Sequence, residues 1–413
     1  MAGRVFITGT GLVTSLGYSS GELQAALCAG RNGIRPVTRF DTGGLACQLG
    51  GEISSFSAKD HLGNANTRAL DRTSQLVATA AGLVLDNSGW SVQMREDQQV
   101  GLVLGTMFCS VHTISEFDRR AVTAGPSYAS PMDFANTVIN AAAGQTAIWH
   151  KLRGVNSTIA TGVTSGLHAI GYAADLIATG RATAIIAGGA DELCFESFVG
   201  FNRAELLCGS NHLAGDFPIP FDSRRNGFAL GEGAALLMLE DGESALARGA
   251  HVLGEIKGYG SAYDCSQGRS DDRSIEAIGR SIRRALDEAL MSPDEIGCLS
   301  ASANGSVDGD RREAIGTASA LGRRAAQLPV TAIKSMLGET LGASGAIQAI
   351  ALIQSIREGL LPGIPQLETP DAGNPLKMLG REAREIGCGT GLVNSMGFDG
   401  NCCSVVIAAA QPI

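Results

Sequence analysis

The sequence lacks several features that would place it in large functional classes. It has 32 Lys+Arg against 41 Asp+Glu, a net charge of −9. It therefore has no basic excess to hold a polyanion, which argues against nucleic-acid binding and general adhesion to anionic membrane surfaces. Charged residues make up 18% and hydrophobic residues 44%, a balance that excludes a disordered chain. Aromatic residues amount to 5%. None of the ten cysteines forms a CxxC pair, and most sit in apolar runs such as Glu192–Phe195. That scatter predicts reduced, buried thiols rather than a disulfide framework or a zinc site. The six histidines include no HExxH pair, so no metal is expected. No apolar run is long enough to cross a bilayer, and the opening Met1–Gly9 is not a basic segment followed by a long apolar one. The expectation is a soluble cytoplasmic protein with no cofactor, no membrane partner and no nucleic-acid partner.

Glycine is abundant, at 55 of 413 residues, and suits tight turns and close packing of elements. The length corresponds to roughly two or three domains' worth of core. Val5–Thr14 reads as a buried strand running into a glycine turn. Short β-rich runs at Val100–Leu104, Ala184–Ala187, Ala234–Leu239, Leu328–Ile333 and Val405–Ala408 alternate with helical patterns. Such alternation predicts an α/β protein whose parallel sheets are covered by helices. One internal echo stands out. Ser157–Thr161 leads through a polar turn into a helix with Leu167, Ile170, Ala174 and Ile177 on one face. Val330–Lys334 leads likewise into a helix with Ile347, Ile350 and Ile353 at similar spacing. Two such units suggest duplicated halves, residues 1–249 and 250–413.

A strand-to-helix turn can hold a side chain at the mouth of a cleft, close to helix N–H groups that stabilise negative charge. Thr161–Gly166 is such a turn, but its tip is Gly162–Val163, and valine has neither an ionisable proton nor a lone pair. Thr164 and Ser165 read as caps of the following helix. Of the histidines, His168 reads as a packed or capping residue. His61, His112, His150, His212 and His251 fall in loops or helix flanks. Three C-terminal loops are shaped for a cleft: Ser302–Asp310, Lys334–Gly345 with Glu339 near one of only five lysines, and Asn394–Asn401 around Phe398. Each alone also fits an ordinary turn, an ion pair or a core phenylalanine.

Taken in order, these segments resemble the β-ketoacyl-ACP synthase family, the thiolase-fold condensing enzymes, nearly end to end. Val5–Gly17 is similar to the first strand and turn, Ile159–Gly171 to the nucleophile elbow, and Pro220–Gly233 to the long mid-chain signature, with Asn226 where Asp is usual. The resemblance implies a five-layered αβαβα fold built from two duplicated halves. It also implies that Lys334 and Phe398 match the family's lysine and its gatekeeping phenylalanine. The phenylalanine loop reads Met-Gly-Phe-Asp-Gly-Asn where Phe-Gly-Phe-Gly-Gly-Thr is usual.

The same resemblance marks three departures. The elbow position, a cysteine in active members, is Val163. The two histidine positions align with Ser302 and Glu339. In active members, so the resemblance implies, a thiolate holds the acyl chain and imidazoles assist decarboxylation and stabilise the enolate, and a carboxylate at Glu339 would repel malonate and enolate alike. On that ground the expectation is a chain that is not an enzyme on its own. The type expected is a chain-length factor, the ketosynthase β subunit of a type II polyketide synthase. Such a factor pairs with an active ketosynthase and meets the acyl carrier protein and its phosphopantetheine-bound chain mainly through that partner. Val163, rather than the Gln of many aromatic-polyketide members, favours a polyene or aryl-polyene pathway at least as much. Met107, Phe108, Val111, Phe134 and Val138 are candidates to line a tunnel or a subunit interface. The arginine pairs 119–120, 224–225 and 323–324 are candidate contacts for an acidic carrier. Two alternatives are a divergent acyltransferase or hydrolase using Ser302, Thr164 or Cys402, and a homodimeric acyl-chain binding protein.

Overall fold

The computed structural model describes residues 3–63, 67–209 and 217–410. Eleven strands join in one sheet: β1 (Val5–Val13), β2 (Gly101–Gly105), β3 (Asn156–Ile159), β4 (Ala184–Asp191), β5 (Gly233–Asp241), β6 (Gly254–Tyr263), β7 (Cys298–Ser300), β8 (Pro329–Thr331), β9 (Lys377–Met378), β10 (Thr390–Met396) and β11 (Asn401–Ala409). Their order is β9-β8-β7-β10-β11-β6-β1-β5-β4-β2-β3. N-terminal strands fill one side and C-terminal strands the other. The seam is a short antiparallel pairing of Val5–Ile7 with Gly254–Ile256.

Helices on both sides of the sheet produce the layers. We use α1 (Arg72–Ser88), α2 (Val111–Ala124), α3 (Ser165–Ala178), α4 (Asp271–Ala289), α5 (Val307–Leu321) and α6 (Ser344–Glu358). On one outer face α1 covers β1 and β5, and on the other α4 covers β6 and β11, with α5 beside it. Between the two halves of the sheet, α3 and α6 pack on each other and on strands of both halves. This is the five-layer arrangement of a thiolase-like fold.

Local sequence explains these elements. In α1, the Asp71 carboxylate accepts the Ser74 N–H at the N-cap, and Gly89, at φ +72°, ends the helix in the left-handed conformation. In α4 the buried residues Ala277, Ile278, Ile282, Ala285, Leu286 and Ala289 follow helical spacing, while Glu276, Arg280 and Arg283 form ion pairs on the solvent side. Both central helices are apolar on nearly every face, as helices sandwiched between sheets must be.

Two expectations change. The sheet is mixed: β2, β3 and β4 pair in parallel, as do β7, β8 and β10, but β1, β5, β6 and β11 all pair antiparallel. The strand runs in the sequence were legible, whereas pairing direction depends on connections that span most of a half. The first strand also does not end at its glycines. Gly11 lies within β1, where a Cβ would stand 2.2 Å from Ala80 O, so glycine lets α1 seat directly on the strand.

Candidate functional site

The two echoed units meet at the centre of the molecule as near-equivalent elbows. In the first, Gly162 takes φ +63° and the Ser165 hydroxyl accepts the Thr161 N–H at 2.8 Å. In the second, Leu341 takes φ +53° and the Ser344 hydroxyl accepts the Thr340 N–H at 3.0 Å. Each elbow leads straight into a central helix, α3 or α6. They approach backbone to backbone: a Cβ at Gly166 would lie 2.3 Å from Gly342 O, and one at Gly189 would lie 2.0 Å from the same atom. Thr164 and Ser165 are not side-chain caps, as expected from sequence, but knots within the turn. The Thr164 hydroxyl donates to Thr161 O at 2.6 Å, and Ser165 donates to Gly162 O at 2.6 Å and lies 3.0 Å from Thr106 O.

Val163 is fully buried. It packs in an apolar cluster with Phe198, Phe228 and Leu341, against which Met107, Phe108 and Phe398 also rest. Phe398 stacks on Phe228 with ring centroids 5.1 Å apart and contacts Phe201 at 5.6 Å. Of the five tunnel or interface candidates, only Met107 and Phe108 reach this cluster. Val111 is half-buried at the start of α2, and Phe134 and Val138 lie on the surface, 62% and 49% exposed.

Ser302, Lys334 and Glu339 converge beside the second elbow, all three buried. Lys334 Nζ donates to Glu339 Oε2 at 2.8 Å and lies 3.3 Å from Ser302 Oγ. Asn304 Nδ2 donates to the same carboxylate oxygen at 2.9 Å, and Ser344 Oγ donates to Oε1 at 2.6 Å. Both oxygens of Glu339 are thus engaged and its charge is matched by an ammonium. The expected repulsion of an anionic substrate gives way to a neutral, hydrogen-bonded pair. Ser302 Oγ also accepts the Met396 N–H at 3.0 Å, which ties the Ser302 loop to the Phe398 loop.

Behind this cluster Glu313 accepts the Ser302 N–H at 2.8 Å and the Asn394 amide at 3.3 Å. Burial pushes the Glu313 carboxyl up to about 7, opposed chiefly by the Ser302 N–H. Burial likewise pushes Asp310 up to about 6, opposed by backbone donors that include the Phe221 N–H. A cavity of about 470 Å³ opens over these groups, lined by Ser302, Asn304, Asp310, Glu313, Met396 and Phe398 among others.

Two contributors escaped the sequence reading. Asn304 sits within a loop that was singled out, but its partner Glu339 is 35 residues away. Asp191, at the end of β4, accepts the N–H groups of Met107, Phe108, Cys109 and Gly342 and the Thr106 hydroxyl. It thereby fixes the Met107–Phe108 loop against the second elbow. The signal was a carboxylate closing an otherwise apolar strand.

The other candidates are structural. His168 is hydrogen-bonded to Thr161 Oγ1 and Ser261 Oγ, both at 2.9 Å, and burial lowers its pKa, so it is a packed neutral imidazole. His212 lies outside the described residues. Cys402 is buried and its thiol is pushed up to about 12 by burial, and the Thr164 hydroxyl is buried and spent on Thr161. The Ser302 hydroxyl has an ion-paired ammonium beside it at 3.3 Å, not a base. None of these three has the base a nucleophile requires. In the mid-chain signature, Glu232 is buried in an ion pair with Arg72 at 2.7 Å and Arg225 pairs with Asp371 at 3.0 Å, which are scaffold roles. Arg119, Arg120 and Arg224 also have carboxylate partners within the chain. Cys265 is exposed and Cys28 and Cys388 are half-buried, so the expectation of buried thiols is met by the other seven. Among the described residues no helix is long and apolar enough to cross a membrane.

A doubled strand–elbow–helix unit in five layers, with its polar cluster where the halves meet, defines a ketosynthase-type fold. The family model for the β-ketoacyl synthase N-terminal domain matches residues 2–245 and that for the C-terminal domain matches 253–368. The chain belongs to the β-ketoacyl synthase family. It is 32% identical over 406 residues to 3-oxoacyl-[acyl-carrier-protein] synthase 2 of Coxiella burnetii, covering 98% of both chains. Curated relatives from Synechocystis, Vibrio and Rhizobium meliloti carry the same name. Among solved structures, the ishigamide ketosynthase/chain length factor matches with a TM-score of 0.92 at 30% identity, covering 100% of both chains. A type II PKS acyl-carrier protein in complex with its ketosynthase, AntDE:AntF, matches at 0.88 and 25% identity, again over 100% of both chains.

These relatives correct the functional expectation. Proteins aligned over almost the entire length are named as 3-oxoacyl-ACP synthases, which are enzymes. The reading as a chain-length factor with no activity of its own is therefore overturned, and so are the acyltransferase or hydrolase and acyl-chain binding alternatives. The ishigamide structure's name covers a ketosynthase as well as a chain length factor, and it does not favour the factor.

Proposed function

We propose that this protein acts in 3-oxoacyl-ACP synthesis, on acyl thioesters presented by a carrier protein. The observation that carries the reading is the alignment with 3-oxoacyl-[acyl-carrier-protein] synthase 2 over 98% of the chain at 32% identity. The cavity over Ser302, Asn304 and Phe398 supplies a compatible place for the substrate. In this reading residues 1–249 and 250–413 are two halves that jointly frame one site, and a carrier protein is the partner.

The residues present set the chemistry. Val163 has no lone pair, so no acyl-enzyme forms there and the thioester stays on its carrier. The apolar cluster around Val163 takes the acyl chain, with Phe398 at its edge. The polar cluster faces the thioester and carboxylate end. Lys334 holds Ser302 and its partner Glu339 holds Asn304, so that the dipoles of both need not reorganise during reaction.

The test is incubation of the purified chain with malonyl-ACP and an acyl-ACP, with mass-spectrometric detection of 3-oxoacyl-ACP and measurement of released carbon dioxide. Product above a no-protein control supports the reading. Neither product nor carbon dioxide, with carriers shown to be loaded and the chain shown to be folded, overturns it.

A further inference from the structure

Most of the buried thiols sit singly in apolar packing, but one pair does not. Cys298 opens β7 and Cys388 lies between Gly387 and Gly389, just before β10. The two strands run parallel, with Cys298 opposite Gly391, and the two sulfurs are 3.7 Å apart. Cys298 is fully buried, whereas Cys388 is half-buried and open to solvent. Gly297 makes the approach possible, because a Cβ there would stand 2.1 Å from the Cys388 Cβ.

We propose that Cys298 and Cys388 form a dithiol that a low-molecular-weight disulfide converts reversibly into an intramolecular disulfide. The Cys388 thiolate attacks one sulfur of the small disulfide, forming a mixed disulfide and expelling one thiolate. The Cys298 sulfur then attacks Cys388 and expels the second. The protons of the two cysteines end on the two small thiols released. The protein pair is oxidised by two electrons and the small disulfide is reduced by two.

The environment assigns the two roles. The hydrogen bond shared with Cys298, aided by the nearby Arg324, brings the Cys388 thiol down to about 7 against desolvation, which raises it, while that bond and burial hold Cys298 well above the usual thiol range. The exposed member is thus the attacking thiolate and the buried member resolves. From this pair β7 leads to Ser302 and β10 to Met396, whose N–H holds Ser302. A cross-link would tie the two site-bearing strands together at their far ends.

The experiment treats the native full-length chain with oxidised glutathione and maps its peptides without reduction. The expected result is a loss of two hydrogens, a linked pair of peptides containing Cys298 and Cys388, and reversal by dithiothreitol. In Cys298→Ser the resolving step is gone, and one glutathione should persist on Cys388. Cys298→Ala, with an unchanged circular-dichroism spectrum, replaces it should the serine disturb the core. Glutathione on the exposed Cys265 with no 298–388 link in the wild type would overturn the proposal. So would an unmodified Cys388 in the folded variant.

Discussion

The two elbows share a backbone and differ in what surrounds them. Thr161–Gly166 and Thr340–Gly345 use the same serine hydroxyl to close the same turn at the head of the same kind of helix. Around the first lie phenylalanines and aliphatic side chains, with Val163 at its tip. Around the second lie Lys334, Glu339, Asn304 and Ser302, a charged network withdrawn from water. The duplicated frame is therefore neutral toward chemistry, and each copy takes its character from the side chains at and beside its turn together with those brought in by other loops.

The largest effect is expected from breaking the polar elbow's ion pair. Glu339→Ala leaves a buried ammonium unpaired and should cost about 3–5 kcal/mol in chemical denaturation, whereas Lys334→Met combined with Glu339→Leu should recover most of that loss. Next comes the contact between the elbows. Gly166→Ala forces a Cβ to 2.3 Å from Gly342 O and should destabilise by about 1–3 kcal/mol, with a matching fall in Tm.

The serines provide a sharper, smaller contrast. Ser165→Ala and Ser344→Ala each remove a turn hydroxyl, but only Ser344 also donates to a carboxylate. Ser344→Ala should be the costlier by about 1 kcal/mol, and equal losses would erase the distinction between the elbows. The mildest test is pH. Glu313 has a folded pKa of about 7, above its ordinary value near 4.5. Its protonated form therefore favours the fold below the ordinary value, and that contribution is lost as pH rises toward about 7. In Glu313→Gln, stability measured by denaturation should vary less across that window than in the wild type.

The sequence made the local parts of this arrangement legible. The apolar faces of α3 and α6 repeat within a few residues, so the internal echo could be read directly, and both faces are buried. The loops bearing Ser302, Lys334 and Phe398 were expected to shape a cleft; the structure lines one cavity with Ser302 and Phe398, while Lys334 meets Ser302 at 3.3 Å without lining it. What depends on remote partners was not legible. Asp191 reaches Gly342 across 151 residues, and the antiparallel seam between β1 and β6 pairs Val5 with Ile256. Glu339 was read as a repelling charge although the same segment also fitted an ion pair with Lys334; the partner that local sequence does not announce is Asn304, 35 residues away. Function suffered most, since an absent cysteine is visible at one position while kinship to enzymes is spread over the whole chain.

The most direct measurement is intact-protein mass spectrometry of the chain during incubation with malonyl-ACP and acyl-ACP, with the carriers followed in the same spectra. The predicted result is 3-oxoacyl-ACP accumulating while the mass of the chain itself does not change. An acyl adduct on the chain, or loaded carriers that stay unconverted beside a folded protein, would contradict the account.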